Sequence, residues 1–216
     1  MLLRPPGVYR ADSDTELLAD VMRRGGFALG REVLDVGTGS GALALAASRA
    51  GAGSVTAVDL SLRSVASTWL NSRLRRAPVT VRHGDLFAPV VGRRFDLVIA
   101  NPPYVPAATA VLPRHRKARC WDGGEDGRAV LDRICAGVVD VLSPDGDVLL
   151  VHSAVCKTEL TLAALERSGL VARVLAEADI PFGPVMRARA AMLESRGLVA
   201  PGTRTEGLVV VGAHHG

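Results

Sequence analysis

The sequence predicts a doubly wound, Rossmann-like α/β domain on a mostly parallel sheet, and three observations predict it. Strand-like and helix-like segments alternate through most of the 216 residues, the pattern of parallel strands joined by right-handed helical crossovers. The strand candidates are apolar runs without polar alternation, as in Asp96-Leu97-Val98-Ile99-Ala100, and strands buried on both faces read that way. A glycine-rich turn from Gly37 to Gly41 follows the first strand and opens a helix, at the end of the sheet where such folds bind ligands.

The elements follow in order. Asp12-Ser13-Asp14-Thr15-Glu16 opens a helix, with Ser13 as the expected cap and Glu16 closing a capping box. Leu17, Leu18, Val21 and Met22 share one side, and Gly25-Gly26 ends it. Strands are expected over 32–36, 54–59, 79–83, 95–100, 146–151, 170–178 and 207–212. Helices are expected over 42–50, 61–76, 126–142 and 157–168, with one more over 185–196, bounded by Pro184 and Gly197. Residues 101–124 read as a long loop. The chain reads as a single domain over 1–216, with an extra helical segment at about 181–204.

Composition excludes several classes. Hydrophobic residues make up 48% and charged residues 22%, a globular rather than disordered balance. No apolar run reaches the roughly 20 residues that span a bilayer, and residues 1–12 lack the apolar stretch of a signal peptide, so a cytoplasmic protein is expected. The net charge of +4 rests almost wholly on arginine, because Lys117 and Lys157 are the only lysines among 26 basic residues. With abundant Ala, Gly and Val, that reads as coding bias rather than as a nucleic-acid footprint. Cys120, Cys135 and Cys156 show no metal-ligand spacing, and no metal is expected. Trp69 is expected to pack, and His83 and His152 to be structural.

Two constellations carry chemistry. In Asp35-Val36-Gly37-Thr38-Gly39-Ser40-Gly41, the glycines let backbone approach a ligand closely. A carboxylate before the first glycine would repel a pyrophosphate, but it would attract the ammonium and sulfonium of S-adenosylmethionine. Asp59 ends the second strand beside Leu60 and can accept from both ribose hydroxyls. Asp85, after the third strand, can accept from the adenine amino group, with the Leu86 backbone reading the ring. The bland alternative is that Asp59 and Asp85 merely cap helices or turns. The second constellation, Asn101-Pro102-Pro103-Tyr104, follows the fourth strand. Two prolines stiffen the turn. The Asn101 side chain and the Pro102 carbonyl can accept both hydrogens of a planar NH2 group, and Tyr104 can lie over it. Such a nitrogen is a poor nucleophile, so positioning it against an electrophilic methyl is the expected catalytic device. A plain proline-rich loop with an aromatic anchor is the alternative.

These two motifs resemble the HemK family of class I methyltransferases, whose members methylate a glutamine side-chain amide in peptide-chain release factors. The short start Gly7-Val8-Tyr9-Arg10 with Ser13-Asp14-Thr15, and the segment Trp121-Asp122-Gly123-Gly124-Glu125-Asp126-Gly127-Arg128, are similar to its HemK2-like (Mtq2-like) branch. The match covers about residues 7–180 and resumes at 206–211. The resemblance implies a seven-stranded sheet with its last strand antiparallel. It implies that Tyr9 and Thr15 close over S-adenosylmethionine, that Asp35, Gly37, Asp59, Asp85, Leu86 and Asn101 contact it, and that Asn101, Pro102 and Tyr104 hold the acceptor. Gly39, Gly41 and Leu60 join the cofactor set, and Trp121, Arg114 and Arg116 are candidate substrate contacts. A protein substrate such as a release factor follows, together with a small activator subunit of the kind that branch uses. Two departures stand out: the stretch Ala11-Asp12-Ser13-Asp14-Thr15 lacks the glutamate usual there, and residues 181–204 have no family counterpart.

Other functions fit parts of the pattern. The same tetrapeptide serves base amino groups, so a nucleic-acid methyltransferase is one alternative. The run Arg114-His115-Arg116-Lys117-Ala118-Arg119 would then hold phosphates, where otherwise it is a solvated loop. A cofactor-binding subunit without activity of its own is another. A nicotinamide oxidoreductase is disfavoured by Asp35.

Overall fold

The computed structural model describes residues 2–3, 5–8, 12–110 and 117–216. The elements run α1 (Ser13–Arg24), β1 (Glu32–Val36), α2 (Ala42–Arg49), β2 (Ser54–Asp59), α3 (Leu62–Leu74), β3 (Val79–His83), β4 (Phe95–Ala100), α4 (Leu131–Gly137), β5 (Leu142–Ser153), α5 (Thr158–Arg167), β6 (Leu170–Pro181), α6 (Pro184–Ser195) and β7 (Thr205–His215).

Seven strands form one sheet in the order β3-β2-β1-β4-β5-β7-β6. Neighbours from β3 to β5 pair parallel, and β7 pairs antiparallel with both β5 and β6. The predicted sheet is therefore the observed one. Alternate residues of each strand feed two cores. Val33, Leu97, Ile99, Leu149 and Val151 meet Leu18 and Met22 of α1 and Leu43 and Ala44 of α2. Leu34, Val36, Val98, Ala100, Val148 and Leu150 meet α4, α5 and α6 on the other face. This period of two explains why the strands read as unbroken apolar runs. After β1 the chain winds outward through β2 and β3, then returns to place β4 on the other side of β1. Strand order reverses there and a crevice opens at the strands' carboxyl ends.

Several boundaries differ from the sequence reading. Asp12, not Ser13, caps α1, and its side chain accepts from Ser13 N at 3.1 Å. The expected helix over 126–142 is only Leu131–Gly137, followed by a 3-10 turn over Val138–Val141. Residues before it are held otherwise: Gly127 takes φ +82°, and the Asp126 carboxylate accepts from Arg128 N. β5 begins at Leu142 rather than at 146 because a register shift against β4 absorbs the residues between Leu142 and Asp147. β6 and β7 both run longer than expected, as an antiparallel ribbon pairing Leu170 with His215 at one end and Pro181 with Thr205 at the other. Trp69 is half exposed and stacked by Arg73 rather than packed inside.

The extra segment between β6 and β7 is not a free appendage. Met186 and Leu193, two helical turns apart on α6, are buried in the same core as α4 and α5, together with Phe182 before the helix. No described helix is long and apolar enough to cross a membrane. Leu193→Ala should therefore destabilise the whole chain by about 2–5 kcal/mol, the usual range for a buried leucine. Urea unfolding followed by fluorescence and circular dichroism would check this. A small early transition with an unmoved main midpoint would instead make α6 an independent unit.

Candidate active site

A cavity of about 1050 Å³ occupies the crevice. Its walls are the loops after four strands: Gly37 to Ser40 after β1, Asp59 to Leu62 after β2, His83 to Leu86 after β3 and Asn101 to Val105 after β4. Gly7, Asp14 and Thr15 come in from the amino-terminal side, and Arg119 to Asp122 with Arg133 from the other. Most of the residues expected from sequence thus converge on one space: Thr15, Gly37, Gly39, Asp59, Leu60, Asp85, Leu86, the whole of Asn101-Pro102-Pro103-Tyr104, and Trp121. Tyr9, Arg114 and Arg116 lie outside the described residues.

Two expected cofactor contacts sit elsewhere. Asp35 lies beneath the glycine turn, fully buried and outside the cavity lining. Its Oδ2 accepts from Thr38 Oγ1 at 2.6 Å and from Ala44 N at 3.0 Å, so it braces the turn and the head of α2. Oδ1 has no hydrogen-bond partner, and burial pushes the carboxyl up to about 7 against the pull of those two donors. Gly41 caps α2 at φ +83°, and a Cβ there would stand 2.9 Å from Thr68 Cγ2. Its glycine serves helix packing rather than ligand approach.

Asp59 sits as expected. Oδ1 accepts from Ser61 N at 2.8 Å and Oδ2 from Gly39 N at 2.9 Å, which ties the first loop to the second. The Ser64 side chain hydrogen-bonds the same carboxylate, so of its roughly four lone-pair positions about one stays open for a further donor. Burial holds this carboxyl above its ordinary range. Asp85 carries a partner that sequence reading missed: Arg133 of α4, whose Nη2 lies 2.6 Å from Oδ2. The pair is half exposed, and so contributes geometry more than energy. Leu86 takes φ +45°, a conformation that costs a side-chain-bearing residue on the order of 1–3 kcal/mol and clusters at ligand sites.

The tetrapeptide is held from three sides. Asn101 Nδ2 donates to Thr15 Oγ1 at 3.1 Å, and the Tyr104 hydroxyl donates to Asp14 Oδ2 at 3.0 Å. From behind, Cys156 Sγ donates to the Tyr104 carbonyl at 3.2 Å, and a Cβ on Gly127 would come within 2.2 Å of that same oxygen. The glycine of the Trp121–Arg128 segment is therefore a close-packing requirement. Arg128 itself is buried, and its Nη1 donates to Cys156 O and Thr161 Oγ1. In front, Val105 N donates to Trp121 O, Gly123 N to Val105 O and Ala107 N to Gly124 O, so residues 105–107 and 121–124 form one strip along the rim.

α6 grips that strip. Arg189 spans Pro106 O at 2.8 Å and Asp122 Oδ1 at 2.6 Å. Arg196 reaches Ala107 O at 2.8 Å and Ala108 O at 3.1 Å. Sequence reading left residues 181–204 without a role, because no local pattern links Arg189 to an aspartate 67 residues away. His152 is buried with its Nδ1–H on Ser153 O and is structural, as expected. His83 lines the cavity and meets Leu60 O at 3.0 Å.

Comparison with known proteins follows the same lines. Residues 2–113 match the family model described as Methyltransferase small domain. A Methanocaldococcus jannaschii protein assigned as a protein N5-glutamine methyltransferase is 29% identical over 185 residues, covering 84% of this chain and 90% of that protein. The release factor glutamine methyltransferase of Geobacter sulfurreducens is 34% identical over 171 residues, covering 76% of this chain but only 59% of that enzyme. Among solved structures, the E. cuniculi Mtq2-Trm112 complex, responsible for methylating the eRF1 translation termination factor, matches with a TM-score of 0.67 at 23% identity. That match covers 97% of this chain and 99% of that one, and is a likeness of fold.

A further acid lies behind the site. Glu206, at the start of β7, is buried with Oε2 unpartnered, and burial, with the nearby Asp14 charge, pushes it up to about 7. The folded state holds a proton there that the unfolded chain releases near pH 4.5. Its neutral form is therefore compatible with folding at low pH, and stability falls as pH rises from that value through 7. Glu206→Gln should raise stability by up to roughly 3 kcal/mol at pH 8 and much less at pH 5. Thermal melts of both proteins at the two pH values would check this, and an equal gain at both would rule out the proton linkage.

Proposed function

The chain belongs to the Methyltransferase small domain family, and on that premise we propose that it moves a methyl group from S-adenosylmethionine to the side-chain amide nitrogen of a protein glutamine. The observation that carries this reading is the placement of Asn101-Pro102-Pro103-Tyr104 on the wall of the cavity that the glycine turn, Asp59 and Asp85 also line. A translation release factor is the substrate class favoured, because a release factor glutamine methyltransferase is 34% identical to this chain over 171 residues, and the cytoplasm is the compartment where such a protein is met.

The residues fit the cofactor on three counts. Gly37, at φ +75°, has nothing within 4 Å of where its Cβ would stand, so ligand can lie against bare backbone. Asp59 lines the cavity and, beside its bonds to Gly39, Ser61 and Ser64, keeps an open lone pair for a ribose hydroxyl. Asp35, buried with an unpartnered oxygen and its carboxyl raised to about 7, gains its charge most readily when a cation lies above the turn, which suits a cationic ligand better than a pyrophosphate. When bound, the cofactor supplies an electrophilic sulfonium methyl.

The rest is done by the chain itself. Asn101 Oδ1 and the Pro102 carbonyl accept the two N–H bonds of the amide and aim its nitrogen into the cavity. Proline at 103 carries no N–H, which keeps a competing donor out of the turn. Tyr104, pinned through its hydroxyl, bounds the plane in which the amide lies. The nitrogen forms its bond to the methyl carbon as the carbon–sulfur bond breaks, with that electron pair staying on sulfur, and one N–H proton leaves to water. No side-chain nucleophile is needed, and catalysis rests on orientation and on fixed acceptors that follow the growing positive charge on nitrogen.

The test is transfer of a labelled methyl group into a cell extract, split between protease and nuclease digestion. Label released by protease, mapping to a glutamine, supports the reading, and label released by nuclease would replace it with a base amino group as acceptor. Asn101→Ala should lower transfer by on the order of 100-fold or more, with S-adenosylmethionine binding by calorimetry little changed. Transfer by the chain purified alone decides whether it needs a second subunit, as the E. cuniculi protein was solved with one.

A further inference from the structure

Two side chains in the first turn of α1 determine which way the hydrogen bonds run at the catalytic turn. Thr15 Oγ1 lies 3.2 Å from Asp14 Oδ1 and 3.1 Å from Asn101 Nδ2. A carboxylate offers only lone pairs, so the single hydroxyl proton of Thr15 is directed to Asp14. What remains for Asn101 is a lone pair, and only the NH2 end of the amide can use it. Oδ1 must then face the other way. Had the Thr15 proton pointed at Asn101, the amide could reverse and present NH2 to the acceptor. Two donors would then meet, since the nitrogen to be methylated carries hydrogens of its own.

Asp14 is built for this task. It is 3% exposed, although aspartate is seldom buried. The amino end of α1 favours negative charge there, and Thr15 N donates to Oδ1 at 2.6 Å. Its second oxygen takes the Tyr104 hydroxyl. One carboxylate therefore orients both polar residues of the tetrapeptide: Tyr104, 90 residues away, directly, and Asn101 through Thr15, 86 residues from it.

We propose that Asp14 is a positioning residue that sets the hydrogen-bond polarity of the acceptor site, acting on Asn101 through the Thr15 hydroxyl and on Tyr104 directly. The site is thereby committed to acceptors that present a planar NH2 as donor. The inference rests on the methyl-transfer reading for its consequence, but not for its geometry.

Asp14→Asn tests it with almost no change of volume. An amide at 14 places a donor against either Thr15 or Tyr104. The expected result is a fall in kcat on the order of 10- to 100-fold, with S-adenosylmethionine Kd and Tm nearly unchanged. Thr15→Val leaves the Asp14–Tyr104 bond in place and should also lower kcat, and Thr15→Ser, which keeps the hydroxyl, should recover most of it. Thr15→Val keeps the test alive where Asp14→Asn does not fold. A second readout needs no acceptor. The side-chain NH2 of Asn101, followed by nitrogen-15 NMR, should be protected from solvent exchange in the parent and exposed in Asp14→Asn and Thr15→Val. If no methyl transfer to protein is found, the functional reading fails while this spectrum still decides the polarity. Unchanged kcat and unchanged Asn101 protection in both variants would overturn the proposal. So would equal loss in Thr15→Ser and Thr15→Val, which would mark a packing role.

Discussion

The contact on which the site depends is the one between the amino end of α1 and the turn after β4. Three walls of the cavity grow from the sheet: the loops after β1, β2 and β3 are placed by neighbouring parallel strands whose registers are fixed by burial. The tetrapeptide lacks that support on its open side. Asn101 leaves β4 at the last paired residue but one step beyond it, and two prolines deny the turn any backbone donor of its own at 102 and 103. Asp14 and Thr15 supply polar partners from outside the sheet. Leu18 and Met22, one and two turns further along α1, are fully buried against the strands, so the helix that presents those partners is anchored by its apolar stripe.

How much of this was legible in the sequence follows from range. The glycine turn, the acids at the ends of β2 and β3, and the Asn-Pro-Pro-Tyr turn are local patterns, and the topology of a parallel sheet brings strand ends together without further information. Direction of side chains was less legible. Asp35 reads as a cavity residue because it precedes the glycines, yet it points beneath them. Contacts made across the chain were not legible at all. Arg133 on Asp85, Arg189 on Asp122 and Asp14 on Tyr104 join residues 48, 67 and 90 positions apart. Asp14 reads in the sequence as part of the Ser13-Asp14-Thr15 match and of a stretch without the usual glutamate, with no partner assigned to it. The clue was a buried-stripe argument: a helix that buries Leu18 and Met22 also turns position 14, one turn earlier, toward the sheet.

Charge gives the crevice a definite bias. Asp35, Asp59 and Glu206 are all held above the ordinary carboxyl range, chiefly by burial. Concentrating three acids in and behind a cavity costs folding energy that a hydrophobic core would not. That arrangement is a liability to an empty protein and an asset to one that binds a cation, because a positive ligand lowers each carboxyl and recovers part of the cost. The same potential makes a nucleotide phosphate a poor tenant for the glycine turn, although the turn's backbone alone would accept one.

The segment between β6 and β7 holds the rim of the cavity from a side that α1 does not reach. Arg189 and Arg196 hold carbonyls at Pro106, Ala107 and Ala108, downstream of the tetrapeptide, and Arg189 adds Asp122 from the facing strand of the rim. Backbone carbonyls in a strip this irregular have few partners of their own, and charge-assisted donors fix them more firmly than water would. The rim is thus positioned by α6, whereas Asn101 and Tyr104 are positioned by α1. Two anchors on opposite sides divide the work: α1 supplies the hydrogen-bond partners of Asn101 and Tyr104, and α6 holds the rim beside them. Changes in α6 can therefore reshape the rim while Asn101 and Tyr104 keep their partners on α1.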